Sequence, residues 1–242
     1  SLTKHQNPKK LMIMLHGYGD NATNFIQIAN LIDQDDFEMK YVALNAPDTI
    51  QDYPMGHEWF QLYLNGTHIS NAGAKEYDVA KKKISENVEK IHNSISILLE
   101  NLDLEMSDCF VMGFSQGGMM AFELGQILQN QLAGLAIISS RIISKEHKPK
   151  NTFLKTPIFI SHGGQDVVLP ISNLYILSLI NSFNFGCKII ILSSFIFSRI
   201  ISFMLLIVSI LKQKISLYLE RISYIFIARS FFNLEKTFND IL

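Results

Sequence analysis

Cysteine is scarce, with two residues in a chain of 242, and neither Cys109 nor Cys187 has other candidate ligands at metal-binding spacing. A disulfide framework and a thiolate metal site are thereby excluded, and both residues read as reduced core cysteines of a cytoplasmic protein. Charge of one sign is also missing. The net charge is −1, which gives no electrostatic reason to expect a nucleic-acid partner. The first ten residues are polar and lack the apolar core of a signal peptide, while the opening on Ser1 rather than Met leaves room for a removed upstream segment. Histidine is absent after His162, and residues 189–242 contain no Gly, Pro, His, Cys or Trp. At 242 residues the chain suits one α/β domain with a sizeable core better than two.

What is present is organised around residues 108–122, Asp-Cys-Phe-Val-Met-Gly-Phe-Ser-Gln-Gly-Gly-Met-Met-Ala-Phe. Residues 109–112 are short and apolar enough for a buried strand, and apolar residues recur at helical spacing from Met119 onward. Ser115 falls on the turn between them. A serine on a strand-to-helix turn of this kind sits in a strained conformation that lifts its hydroxyl above the sheet, with Gly113 and Gly117 where side chains would clash. The Gln116 N–H then lies at a helix start, where unpaired donors and the helix dipole favour an oxyanion.

Residues 11–15 form another apolar run, ending in His-Gly-Tyr-Gly-Asp at 16–20, so a buried strand runs into a glycine loop. The Tyr18 N–H can turn toward the serine as second oxyanion donor. His16 belongs to that side of the site and reads as a loop-ordering residue rather than a base. A helix is expected over 22–31, a strand over 40–44, and an amphipathic helix over 76–101. Residues 48–73 read as a long irregular loop bearing Trp59 and Phe60, which either line an acyl pocket or clamp the loop to the core. Residues 132–138 are a further apolar run, and residues 157–170 repeat the pattern of strand, glycine loop and acid. Asp166 there follows the nucleophile in chain order, as the acid of a triad does.

With Leu-His-Gly-Tyr-Gly-Asp at 15–20, Gly-Phe-Ser-Gln-Gly-Gly at 113–118 and His-Gly-Gly-Gln-Asp-Val-Val-Leu-Pro at 162–170, the chain resembles the phospholipase/carboxylesterase family, which includes the acyl-protein thioesterases. The resemblance spans about residues 9–188. It implies an α/β-hydrolase fold, with a mostly parallel central sheet flanked by helices. It also implies a serine hydrolase of small-molecule esters or acyl thioesters that needs no cofactor and no metal. Ser115 would be the nucleophile, Asp166 the acid, and the Tyr18 and Gln116 amides the oxyanion hole. Gln61 stands where the family's Trp-Phe-Asp segment has its Asp.

The family closes with a strand and a Gly-x-x-His segment that delivers the base, and this chain lacks it. The expected division is therefore a hydrolase domain over 1–188 and an atypical hydrophobic tail over 189–242, with the last strand and helix lost or altered. Tyr-Pro-Met-Gly-His at 53–57 mimics the missing segment, but His57 lies upstream of the serine. Two readings of the tail compete. Residues 189–211 are nearly long and apolar enough for a membrane anchor, although Arg199 near the centre costs roughly 2.5–3.5 kcal/mol. A frameshift explains the tail better, since an anchor would be added after the base rather than replace it. The rivals to an active hydrolase are an inactive remnant that binds acyl compounds and a membrane-attached interaction protein.

Overall fold

A strand that is apolar at consecutive positions must be covered on both faces, and β2 (Lys10–Leu15), the second strand after β1 (Leu2–Thr3), shows why its run is unbroken. Leu11, Ile13 and Leu15 point into one core cluster, while Met12 and Met14 point into another on the opposite face. The computed structural model describes residues 1–3, 5–33, 37–64, 66–69, 73–143, 150–163, 189–194 and 226–227. After β3 (Met39–Leu44) come two small ribbons, β4 (Asp48–Ile50) with β5 (Tyr53–Glu58), and β6 (Tyr63–Leu64) with β7 (Thr67–His68). The central sheet resumes with β8 (Cys109–Phe114), β9 (Gly134–Ile138), β10 (Ile158–Gly163), β11 (Ile189–Ser194) and β12 (Phe226–Ile227). Its spatial order is β1-β3-β2-β8-β9-β10-β11-β12, parallel throughout except for the β1–β3 pair. This is the mostly parallel sheet of the α/β-hydrolase fold.

Five α-helices accompany the sheet among the described residues: α1 (Ala22–Phe25), α2 (Ile28–Ile32), α3 (Ala74–Leu102), α4 (Gln116–Ile127) and α5 (Asn151–Lys155). Helix α3 buries Ala80, Ile84, Val88, Ile91, Ile95 and Leu99, the stripe that its isoleucine spacing predicts. Helix α4 is buried from Gln116 to Gln126, on all sides. Its position behind β8 is what sets the serine turn between the two.

The structure departs from the sequence reading in three places. The helix expected over 22–31 is two short helices, because hydrogen bonds from Gln27 N to Asn24 O (3.1 Å) and from Ala29 N to Ile26 O (3.0 Å) tighten the join into a turn. Residues 48–73, expected to be irregular, carry the two ribbons; strands this short are exposed on much of their length and leave no period to read. Finally, the sheet takes in residues 189–194, six residues of the segment set apart as the tail, which hydrogen-bond in parallel to β10. No helix among the described residues is long and apolar enough to cross a membrane.

Candidate active site

Ser115 has φ 51° and ψ −116°, a conformation that costs a non-glycine residue on the order of 1–3 kcal/mol. Its surroundings hold it there. The Ser115 N–H donates to Ile138 O (2.9 Å), and its carbonyl accepts from Gly118 N (3.0 Å), Met119 N (3.1 Å) and the Ser140 hydroxyl (2.8 Å). The flanking glycines are required by close backbone packing. A Cβ on Gly113 would fall on the backbone of Gly117, and one on Gly117 would fall on the Leu15 carbonyl and 2.5 Å from His16 O. Strand β8, helix α4 and the end of β2 therefore meet at the serine with no room for a methyl group.

The same crowding brings in the second oxyanion candidate. A Cβ on Gly17 would sit 3.0 Å from the Phe114 ring and 3.5 Å from Ser115 Cβ, so the loop carrying Tyr18 lies against the serine turn. His16 orders that loop. Its Nδ1–H donates to Gly17 O (2.7 Å), and its Nε2 accepts from Ala46 N–H (3.0 Å), which uses both ring nitrogens in a neutral ring. His57 is tied elsewhere: its Nδ1–H donates to Ala46 O (2.9 Å), and its backbone pairs with Asp20. Among the described residues, none hydrogen-bonds the Ser115 hydroxyl.

Trp59 and Phe60 are 2% and 0% exposed and belong to the larger core cluster. Four hydrogen bonds fasten them. Gln116 Oε1 accepts from Trp59 N (2.9 Å), Gln116 Nε2 donates to Phe60 O (2.6 Å), Asn87 Nδ2 donates to Trp59 O (2.5 Å), and the Trp59 indole donates to His16 O (2.9 Å). The structure thus brings Ser115, Gln116, Trp59 and Phe60 together beside the loop that carries Tyr18, while Asp166 lies outside the described residues. Sequence reasoning did not find Ser140, Asn87 or the role of the Gln116 side chain. Asn87 did leave a signal, a polar residue beside Val88 on the apolar stripe of α3.

Burial lowers the pKa of His16 below its ordinary 6.5, the Gly17 carbonyl only partly opposing it, and burial with Arg141 nearby lowers that of His68. Above pH 6.5 these groups are neutral in both folded and unfolded chains, and their environment is unpenalised. As the pH falls below 6.5 the unfolded chain takes up protons first, so stability falls until the folded-state pKa is passed. Denaturant melts between pH 8 and pH 5 should show this decline, and His16→Gln should flatten it without abolishing it. A decline of unchanged steepness in that variant would count against the assignment. Cys109, by contrast, is chemically quiet, its thiol pushed up to about 12 by burial.

The profile of the phospholipase/carboxylesterase family matches residues 2–185, more than half of the chain. The chain belongs to the phospholipase/carboxylesterase family. Among its relatives in that family is acyl-protein thioesterase 1 of Saccharomyces cerevisiae, 28% identical over 185 residues, covering 69% of this chain and 75% of the yeast protein. The Candida albicans acyl-protein thioesterase 1 is 25% identical over 173 residues, covering 66% and 72% of the two chains. In three dimensions the chain resembles esterase PE8, with TM-score 0.69 at 22% identity over 84% of this chain and 93% of that one. It also resembles Arabidopsis thaliana SOBER1, with TM-score 0.65 at 19% identity over 86% and 99%. The family match stops at residue 185, just short of the segment without glycine, proline or histidine.

Proposed function

We propose that this chain carries the acyl-transfer site of a serine hydrolase of carboxylic esters or acyl thioesters, and that the site is nearly silent as it stands. The observation that carries the reading is the backbone of Ser115, held at φ 51° between β8 and α4 by packing that tolerates only glycine on either side. In the reaction the serine oxygen attacks the acyl carbon and the carbonyl oxygen becomes an anion facing the Tyr18 and Gln116 amides. The leaving alcohol or thiol departs with a proton, and water then releases the acid from Ser115. Membership in the family and the relatives named acyl-protein thioesterase 1 support this substrate class. Asp166 is the acid of the reading, but no histidine follows His162 for it to orient.

A fluorophosphonate probe tests the reading. Labelling should be slow, confined to Ser115 and absent from Ser115→Ala. Fast labelling would reveal a base that the reading does not supply, and labelling indifferent to Ser115 would end the acyl-transfer account.

The tail belongs to the same proposal. Its composition changes abruptly after Lys188, as out-of-frame codons of an A+T-rich gene would make it change. One of the other two forward frames of the coding DNA beyond Lys188 should encode a strand remainder, a Gly-x-x-His segment and a closing amphipathic helix. If neither contains a histidine in that context, the tail has evolved as it is. An anchor over 189–211 would then have to begin after the six residues that lie in the sheet as β11.

A further inference from the structure

Gln116 enters the acyl-transfer reading through its backbone N–H alone, yet its side chain is wholly buried and uses both ends of its carboxamide on one neighbouring segment. The acceptor end takes Trp59 N–H at 2.9 Å and the donor end reaches Phe60 O at 2.6 Å. Trp59 in turn donates its indole N–H to His16 O at 2.9 Å, at the root of the loop that carries Tyr18. The two amides assigned to the oxyanion are therefore joined by a chain of hydrogen bonds that runs from Gln116 through Trp59 to His16. Asn87 closes the assembly from α3, donating to Trp59 O at 2.5 Å while its own oxygen accepts from Lys90 Nζ at 3.1 Å.

We propose that the Gln116 side chain is a positioning residue, which sets the distance between the two oxyanion amides by holding Trp59 against the His16–Gly17 peptide. This rests on the acyl-transfer reading of Ser115. The chemistry asks for a carboxamide in particular. Trp59 N–H needs an acceptor and Phe60 O needs a donor, 57 and 56 residues away in sequence, and only a group with both can serve them from one stem. A buried peptide group left without its partner is unfavourable, so the segment moves when the carboxamide is lost. Among the described residues, the titratable groups bordering the network include His16, neutral with both ring nitrogens engaged, His57 with its ring 6.2 Å from that of His16, Asp20 acting on His16, Glu58 next to Trp59 in the chain, and Lys90 on the far side of Asn87.

The chain's single tryptophan makes the test direct, because the indole N–H of Trp59 gives one cross-peak in a proton–nitrogen spectrum. Phenylboronic acid serves as the second probe. The Ser115 oxygen donates a lone pair to boron, its proton passes to the buffer, and the resulting tetrahedral boronate anion presents a hydroxyl oxygen to the two amides. In Gln116→Met the indole peak should move and boronate affinity should fall by about tenfold, the scale of one displaced hydrogen bond. In Gln116→Glu the peak and the affinity should match the parent at the acid end, where a protonated carboxyl both donates and accepts. Both should depart from the parent as the carboxyl ionises on raising the pH, with the parent protein measured at each pH as reference. Tyr77→Phe, which loses a hydrogen bond to Ile143 O from another part of α3, should leave both signals in place. Variants at Gln116 that keep the parent's indole position and affinity, or a Gln116→Glu protein that acid does not restore, would overturn the proposal. If the parent fails to bind the boronate, or Ser115→Ala binds it equally, the acyl-transfer reading falls instead. The indole peak alone then decides whether Gln116 holds Trp59.

Discussion

Replacing residues 189–242 with a strand, a Gly-x-x-His segment and a closing helix should raise hydrolysis of a nitrophenyl ester by several orders of magnitude. The reason is the proton on Ser115. A serine hydroxyl is a poor nucleophile until a neighbouring base takes that proton, and loss of the histidine from such a site lowers kcat by on the order of 10⁶. What remains, an oxyanion hole and a binding surface, still contributes roughly 10³–10⁴ over water. The unrepaired chain should therefore sit just above background, and Ser115→Ala in the repaired chain should abolish the gain. The measurement is initial rates of the three proteins side by side. Robust turnover by the unrepaired chain that disappears in His57→Ala would make His57 the base, despite the hydrogen bond that ties its Nδ1 to Ala46 O.

Gly117→Ala should be, with Gly113→Ala, among the most damaging glycine-to-alanine changes in the described part of the molecule. Its Cβ would overlap the Leu15 carbonyl and lie 2.5 Å from His16 O, both backbone atoms at the end of an interior strand that cannot turn aside. Either α4 moves off the sheet or β2 does. Overpacking of this kind costs about 3 kcal/mol or more, a large fraction of the roughly 5–15 kcal/mol that stabilises a domain, and should lower Tm by about 6–12 °C. Gly66→Ala is the informative comparison. Gly66 has φ +78° but nothing within 4 Å of the added Cβ, so only the left-handed backbone is penalised, by about 1–2 kcal/mol. Thermal melts that rank the two variants equally would show that packing at the serine turn is looser than these contacts require.

The serine turn was legible because its requirements are local. A buried strand, a glycine on each side of a serine and an apolar helix can be read from residues 109–122 without knowing what they touch, and the structure has β8 and α4 there. The same holds for β2, whose consecutive apolar residues demand two covered faces, and for α3, whose stripe has the helical period. Helix α5 and the two ribbons were missed for the complementary reason. They are short, and their shape is set by partners such as the Leu128 carbonyl that accepts from Thr152 Oγ1 at 2.8 Å.

The sequence by itself determined the class of fold, the family and the place of the serine turn, because hydrophobic period and glycine placement are properties of contiguous residues. It also determined that no histidine follows His162. Only the tertiary structure decided what the polar residues near the serine do. His16 already read as a loop-ordering residue, but its partner came only from the fold: Ala46, thirty residues away, brings an N–H to its Nε2. Gln116 could have been a plain helix start, and became a clamp because the chain folds Trp59 and Phe60 back within reach of its carboxamide. Hydrogen-bond partners far apart in sequence follow no periodicity, so a polar side chain acquires its role only when packing settles which backbone groups it must satisfy.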